Sequence, residues 1–198
     1  MRDIRRSAAI SASKLFHRYG CAKTTMEDIA RDVGVSKATL YNYFHTKDNI
    51  VISVLDNEES VFLETMRLAI AGASSPIESF VAFYKIYAAT ARRGKQLFFL
   101  CKDNYIWQRP VFTKNLQSRI NVEKRILQTI FVEGMSLEVF RSFTNIEEII
   151  DMLYTVLHSF CRGFSGGKST RNFETKLDTL VELLLVGICL EKVCDSSK

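Results

Sequence analysis

The 198-residue sequence lacks the residue pairings that staples, metal sites and catalytic centres require. Its five cysteines, Cys21, Cys101, Cys161, Cys189 and Cys194, are odd in number, form no CxxC pair and lie mostly within apolar periodic stretches. Such usage fits a reducing cytoplasm and inert thiols, not a disulfide framework. His17, His45 and His158 are far apart, which leaves a structural zinc site without ligands. There is no Gly-rich phosphate loop, no G-x-S-x-G and no H-E-x-x-H, so neither an enzyme nor a bound cofactor or metal is expected. No apolar run approaches a charge-free membrane span. The N-terminal MRDIRRSAAISASKLF begins basic, but Ser7, Ser11, Ser13 and Lys14 break the apolar core that a secretory signal needs. A cytoplasmic protein without a membrane partner is the expectation.

Charge is present and unevenly placed. Residues 1–50 carry nine Lys or Arg against five Asp or Glu, whereas residues 51–198 carry eighteen against seventeen. An excess confined to one end is the footprint of a phosphate-binding surface, although +4 also suits a plain soluble basic face.

That basic end contains TTMEDIARDVGVSKATLYNYFHTK, residues 24–47. Thr25 with Asp28 three residues on forms a capping-box pattern for a short helix whose inner side carries Ile29, Ala30 and Val33. Gly34 supplies the backbone freedom to stop and turn, Val35 can plug the space between helices, and Ser36 caps a second helix over about 37–43. Leu40 and Phe44 bury at i, i+4, which leaves Lys37, Thr39, Tyr41, Asn42 and Tyr43 over the remaining surface. Two short helices around a glycine turn read as helix-turn-helix. Lys37, Thr39 and Tyr41 suit base edges in a major groove, while Thr25, Ser36, Tyr43 and Lys47 suit phosphates. Taken singly, Tyr41 and Tyr43 would equally read as core.

The stretch TTMEDIARDVGVSKATLYNYFHTKDNI resembles the DNA-binding signature of the tetracycline-repressor (TetR) family of bacterial transcription regulators, with its Thr, Ile-Ala, Gly-Val-Ser, Thr-Leu-Tyr, Tyr-Phe and Lys positions all present. The resemblance implies an all-α homodimer with a three-helix DNA-binding head, residues 1–47, and a helical effector-binding and dimerisation body, residues 48–198. It also implies that Lys37, Ala38, Thr39 and Tyr41 face bases and that Thr25, Ser36, Tyr43 and Lys47 face phosphates. Many relatives have Gly where this chain has Ala38.

Along the chain, helical spacing predicts a first helix over 3–19, ended by Gly20, whose Arg2, Arg5 and Arg6 reach flanking phosphates or stay solvated. A helix from Lys47 to about Ala71 would join head to body as a stiff lever. After it come a helix over 76–92 capped by Ser75 and opened by Pro76, a short helix over 96–102, and a long one over 111–134. Aromatic residues are dense here. Phe62, Met66, Phe80, Phe83, Tyr84, Tyr87, Phe98, Tyr105, Trp107, Phe112, Leu127 and Phe131 are the candidate lining of a pocket for a flat or greasy small-molecule effector, with Tyr hydroxyls and the Trp107 N–H as orienting groups. Each ring alone also reads as core.

A Thr144–Glu147 capping box opens a helix to about Arg162, and, beyond the loop GFSGGKSTRN, a last helix covers 172–193. The last helix has two apolar faces, and one suffices for a monomer. Ile149, Leu153, Val156, Phe160, Leu177, Leu180, Leu184 and Ile188 are the candidate homodimer interface, since a two-fold pair reads a palindromic double-stranded operator where one short helix reads too few bases. A regulator released by an effector is therefore expected. The rivals are a sequence-indifferent binder and a regulator answering to a protein or to oxidation of Cys101 or Cys161.

Overall fold

A computed structural model of the chain describes residues 3–92, 109–164 and 172–190, and these fall into two compact helical units. Of the described residues, 3–62 and 109–117 form the first unit, and 63–92, 118–164 and 172–190 form the second. The division falls inside a helix and not at residue 47, because Ile50, Val51, Val54 and Leu55 all bury in the core of the first unit.

In the first unit α1 (Ile4–Tyr19) packs against α2 (Met26–Val33) and α3 (Lys37–Tyr43), followed by the start of α4 (Lys47–Ala71). Asp3 caps α1 by accepting the Arg6 N–H at 3.2 Å. Ala8, Ala12 and Phe16, one helical turn apart, then line its buried face. They meet Ile29, Ala30 and Val33 of α2, Leu40 of α3 and Phe44 just beyond it. Phe112 and Leu116, at the start of α6 (Pro110–Ser136), complete this core. Phe112 is thus a core residue of the first unit and not part of a body pocket, because the opening turns of its helix pack here. Two polar ties cross the unit: the buried Ser11 hydroxyl donates to Asp32 at 2.6 Å, and Glu58 accepts from Ser13 at 3.1 Å and meets His17 Nε2 at 3.2 Å.

The second unit is built on α5 (Pro76–Arg92), which packs against α7 (Ile146–Phe164) and α8 (Phe173–Ile188). Ser75 caps α5, taking the Glu78 N–H at 3.2 Å. The cap of α7 lies one residue beyond the expected Thr144–Glu147 box: the Glu148 N–H donates to Asn145 at 3.4 Å, Asn being at least as good a cap as Thr. Helix α8 stops at Ile188, short of 193, because the chain there is captured. Phe140 and Cys189 form an antiparallel bridge, the Arg141 N–H donates to the Ile188 carbonyl at 2.8 Å, and the Leu190 N–H donates to Val139 at 3.1 Å. Gly134 lets the Phe140 ring lie against α6, where an added Cβ would sit 2.1 Å from the ring.

Candidate nucleic-acid interface

The helix pair of residues 25–43 is closed at each joint by its own near neighbours. Thr25 and Asp28 form a reciprocal capping box, Thr25 Oγ accepting the Asp28 N–H at 3.1 Å and Asp28 accepting the Thr25 N–H at 3.0 Å. The Thr25 hydroxyl, donating to the same carboxylate at 2.6 Å, is the main reason that the Asp28 carboxyl lies below its ordinary range, with Arg31 adding a smaller pull. Gly34 ends α2 at φ 78°, a left-handed conformation that costs glycine nothing, and its N–H and that of Val35 both return to the Ala30 carbonyl at 3.0 Å. Ser36 then caps α3, accepting the Thr39 N–H at 3.0 Å, while its hydroxyl and that of Thr39 share a 2.8 Å hydrogen bond. Leu40 and Phe44, both essentially inaccessible, fix the inner face of α3.

With that face buried, the opposite one is determined. Lys37, Ala38, Tyr41, Asn42 and Tyr43 are exposed, Thr39 is half-buried, and Thr25 and Ser36 stand exposed at the two helix starts. All nine residues of the sequence-derived set, with Lys47 half-buried at the start of α4, lie on or beside the helix pair. Tyr41 and Tyr43 keep about 40% and 39% of their surface in solvent, so neither is a core ring. The Lys47 ammonium donates to the Ala22 carbonyl at 3.3 Å, a contact with no sequence signal. Sequence reasoning also missed Glu27, whose carboxylate reaches across the hairpin to the Lys37 ammonium at 3.7 Å. The two are ten residues apart, and only the hairpin brings them together.

The candidate pocket residues are partly assembled. Phe80, Phe83, Tyr84, Tyr87 and Phe131 cluster in the second unit, with ring centroids of Phe80 and Tyr84 4.6 Å apart and of Phe80 and Phe131 5.9 Å apart. Met66 and Leu127 are buried in the same unit, Phe62 belongs to the first, and Phe98, Tyr105 and Trp107 lie outside the described residues. The tyrosine hydroxyls already have protein partners. Tyr84 donates to the Leu153 carbonyl at 3.0 Å, and Tyr87 donates to Tyr154 at 3.3 Å and lies 3.0 Å from His158 Nδ1. Tyr154 in turn donates to Glu123 at 2.5 Å, and Arg119 Nε donates to the other carboxylate oxygen at 3.0 Å. Burial, reinforced by Glu123, pushes the Tyr87 and Tyr154 hydroxyls well above their ordinary range. Burial, then Arg162, lowers His158. None of Arg119, Glu123, Tyr154 and His158 was in the sequence-derived set. The i, i+4 spacing of Arg119 and Glu123 is their one sequence signal, and it reads first as a solvated pair.

The candidate dimer residues divide. Leu153, Leu177 and Ile188 are buried within the single chain and therefore serve its own core. Ile149, Phe160, Leu180 and Leu184 are half-buried and Val156 is 39% exposed. The large apolar side chains left most open on these helices are Met152, Leu183 and Val186, at 64%, 67% and 65%.

Residues 10–54 match the family model described as bacterial regulatory proteins, tetR family, a span that takes in most of α1, the whole helix pair and the start of α4. Residues 10–54 are a TetR-family segment. A TetR-like fold extends beyond that segment. A transcriptional regulator from Cytophaga hutchinsonii, 25% identical, superimposes with a TM-score of 0.78 over 92% of this chain and 97% of its own. A transcriptional regulator from Saccharomonospora viridis, solved in complex with choline and 19% identical, gives 0.79 over 94% and 98%. Among curated proteins, the HTH-type transcriptional regulator HbdR of Aromatoleum sp. (strain CIB) is 31% identical over 128 residues. That match takes in 62% of this chain and 56% of HbdR, so the chain spans little more than half of that relative.

Proposed function

We propose that this chain is a TetR-family, homodimeric, sequence-specific DNA-binding transcription regulator of the repressor type, released from a palindromic operator by a small, largely apolar effector. The observation that carries the reading is the outward face of α3. Lys37, Ala38, Tyr41 and Asn42 are exposed together on a helix whose opposite side is anchored by Leu40 and whose start is capped by Ser36. A helix so presented fits a major groove, where a lysine ammonium meets guanine acceptors and a tyrosine edge meets a thymine methyl. Thr25, Ser36, Tyr43 and Lys47 flank it within reach of phosphates.

Two copies are needed to read a two-fold site, and the open apolar side chains Met152, Val156, Leu183 and Val186 support pairing through α7 and α8. The ring cluster around Phe80, Phe83, Tyr84 and Tyr87 supports an effector with apolar surface, and the choline complex of the Saccharomonospora relative is in keeping with a ligand in this fold. Release then follows from linkage, the operator affinity falling by the ratio of effector affinities for the free and DNA-bound states. Control by oxidation at Cys161 is disfavoured, because the thiol is buried and pushed up to about 12 by that burial.

The test is selection of duplexes from a random pool followed by titration at several salt concentrations. The enriched duplex is expected to be an inverted repeat bound as a dimer. Lys37→Ala and Tyr41→Ala should each weaken it by roughly five- to 150-fold, the span of about 1–3 kcal/mol for a good base contact, with unchanged helicity. Full affinity in both variants refutes the reading face. Screening apolar amines and aromatics by thermal shift tests the effector, since any ligand of the folded state raises its stability.

A further inference from the structure

Residues 3–50 carry five carboxylates, and four are engaged within the fold. Asp3 caps α1, Asp28 closes the capping box of α2, Asp32 accepts the Ser11 hydroxyl, and Asp48 pairs with Arg109. Glu27 differs: its carboxylate extends from the first turn of α2 to the first residue of the reading helix, 3.7 Å from the Lys37 ammonium. Both side chains are more than half exposed, so the pair adds little to folding stability. Its position is what matters. A negative charge on a face that must approach phosphates opposes every duplex, whatever its sequence.

From this juxtaposition we propose that Glu27 is a specificity-determining positioning residue, which tethers Lys37 over the base edges and lowers sequence-indifferent binding. This rests on the reading of α3 given above. The Lys37 ammonium has three N–H donors. On a matching site it can donate one to a guanine oxygen or nitrogen and keep Glu27 on another. On a random duplex its simplest gain is a phosphate, and reaching one means leaving the carboxylate and bringing that carboxylate toward the backbone. Glu27 therefore penalises the phosphate-bound arrangement and spares the base-bound one. Asp28, next in sequence, cannot substitute, since Thr25 and Arg31 already hold it.

The experiment uses the full chain and four forms: unaltered, Glu27→Gln, Lys37→Ala and the double variant. Each is titrated with the duplex that the unaltered protein enriches and with a random duplex, across a range of salt. Glu27→Gln is expected to bind the random duplex roughly five- to tenfold tighter, with a log–log salt slope steeper by about one, and to lose specificity by the same factor. In the Lys37→Ala background the substitution should do much less, because the tethered group is gone. Helix stability does not set a specificity ratio, so the ordinary dipole role of an acidic first-turn residue leaves both readouts unmoved. Unchanged specificity in Glu27→Gln overturns the proposal while leaving the reading of α3 intact, as does an undiminished effect in the Lys37→Ala background. If the unaltered protein enriches no duplex, the reading of α3 falls and takes this proposal with it.

Discussion

The helix pair of residues 25–43 and the body hold their polar groups in opposite ways. Around α2 and α3 the caps close over three residues and face water, as in Thr25 with Asp28 and Ser36 with Thr39. In the body the chain from Arg119 through Glu123, Tyr154 and Tyr87 to His158 joins three helices, across separations of up to 71 residues, largely away from solvent. Short exposed ties are individually weak and leave neighbouring side chains free to meet a partner. Buried connected ones must be satisfied together, so they fix how α5, α6 and α7 register and leave few ways to remove one member.

The contrast is broken most directly at Glu123. Glu123→Ala removes the buried carboxylate that accepts from both Arg119 and Tyr154 and should cost about 3–5 kcal/mol in urea unfolding. Replacing both, as Arg119→Met with Glu123→Leu, should return most of it. A loss in the single variant no larger than that of a surface residue would mean that the body chain is as dispensable as the head's caps.

Thr25→Ala removes one cap and should cost about 1 kcal/mol, concentrated in α2. Its acid response is a sharper measure. The Asp28 carboxyl is lowered from 3.8 by Thr25, so its contribution is whole above that value and disappears as the pH falls through the lower folded one. The decline of stability below pH 3.8 should therefore be shallower in Thr25→Ala.

His158 gives a smaller, oppositely placed effect. Burial and Arg162 disfavour its charged form, so the unfolded chain takes up the proton first, at about 6.5. Stability is undiminished above that pH and declines as the pH drops from there toward the folded value. His158→Gln should flatten the slope between pH 5 and 7, read as the change in urea midpoint. The smallest effect is at Cys161. With its thiol pushed up to about 12, native protein at pH 8 should leave it unreacted with a thiol reagent until urea unfolds the body.

These differences also explain what was legible beforehand. The α2–turn–α3 geometry follows from partners lying three residues apart, so Thr25, Gly34, Ser36 and Leu40 announce it without any knowledge of tertiary structure. Periodicity likewise gives the helices of the body to within a few residues. It does not tell which of two apolar faces turns inward: Leu177 and Ile188 go to the core while Leu183 and Val186 stay outside. The polar chain was hidden for a related reason, since Glu123 and Tyr154 belong to different helices and nothing local marks them as neighbours. Phe112 reads as part of the body by position, yet its helix begins in the head core. Capture of Cys189 by Phe140 truncates a helix whose pattern runs on.

The self-contained joints of this helix pair have a consequence for descent. Exposed positions 37, 38, 41, 42 and 43 can drift, or be swapped as a block from a cousin, while Thr25, Gly34, Ser36 and Leu40 hold the scaffold unchanged. On the proposed reading of α3, a change of target site needs changes only at these exposed positions, and the packing that holds the helix pair is untouched.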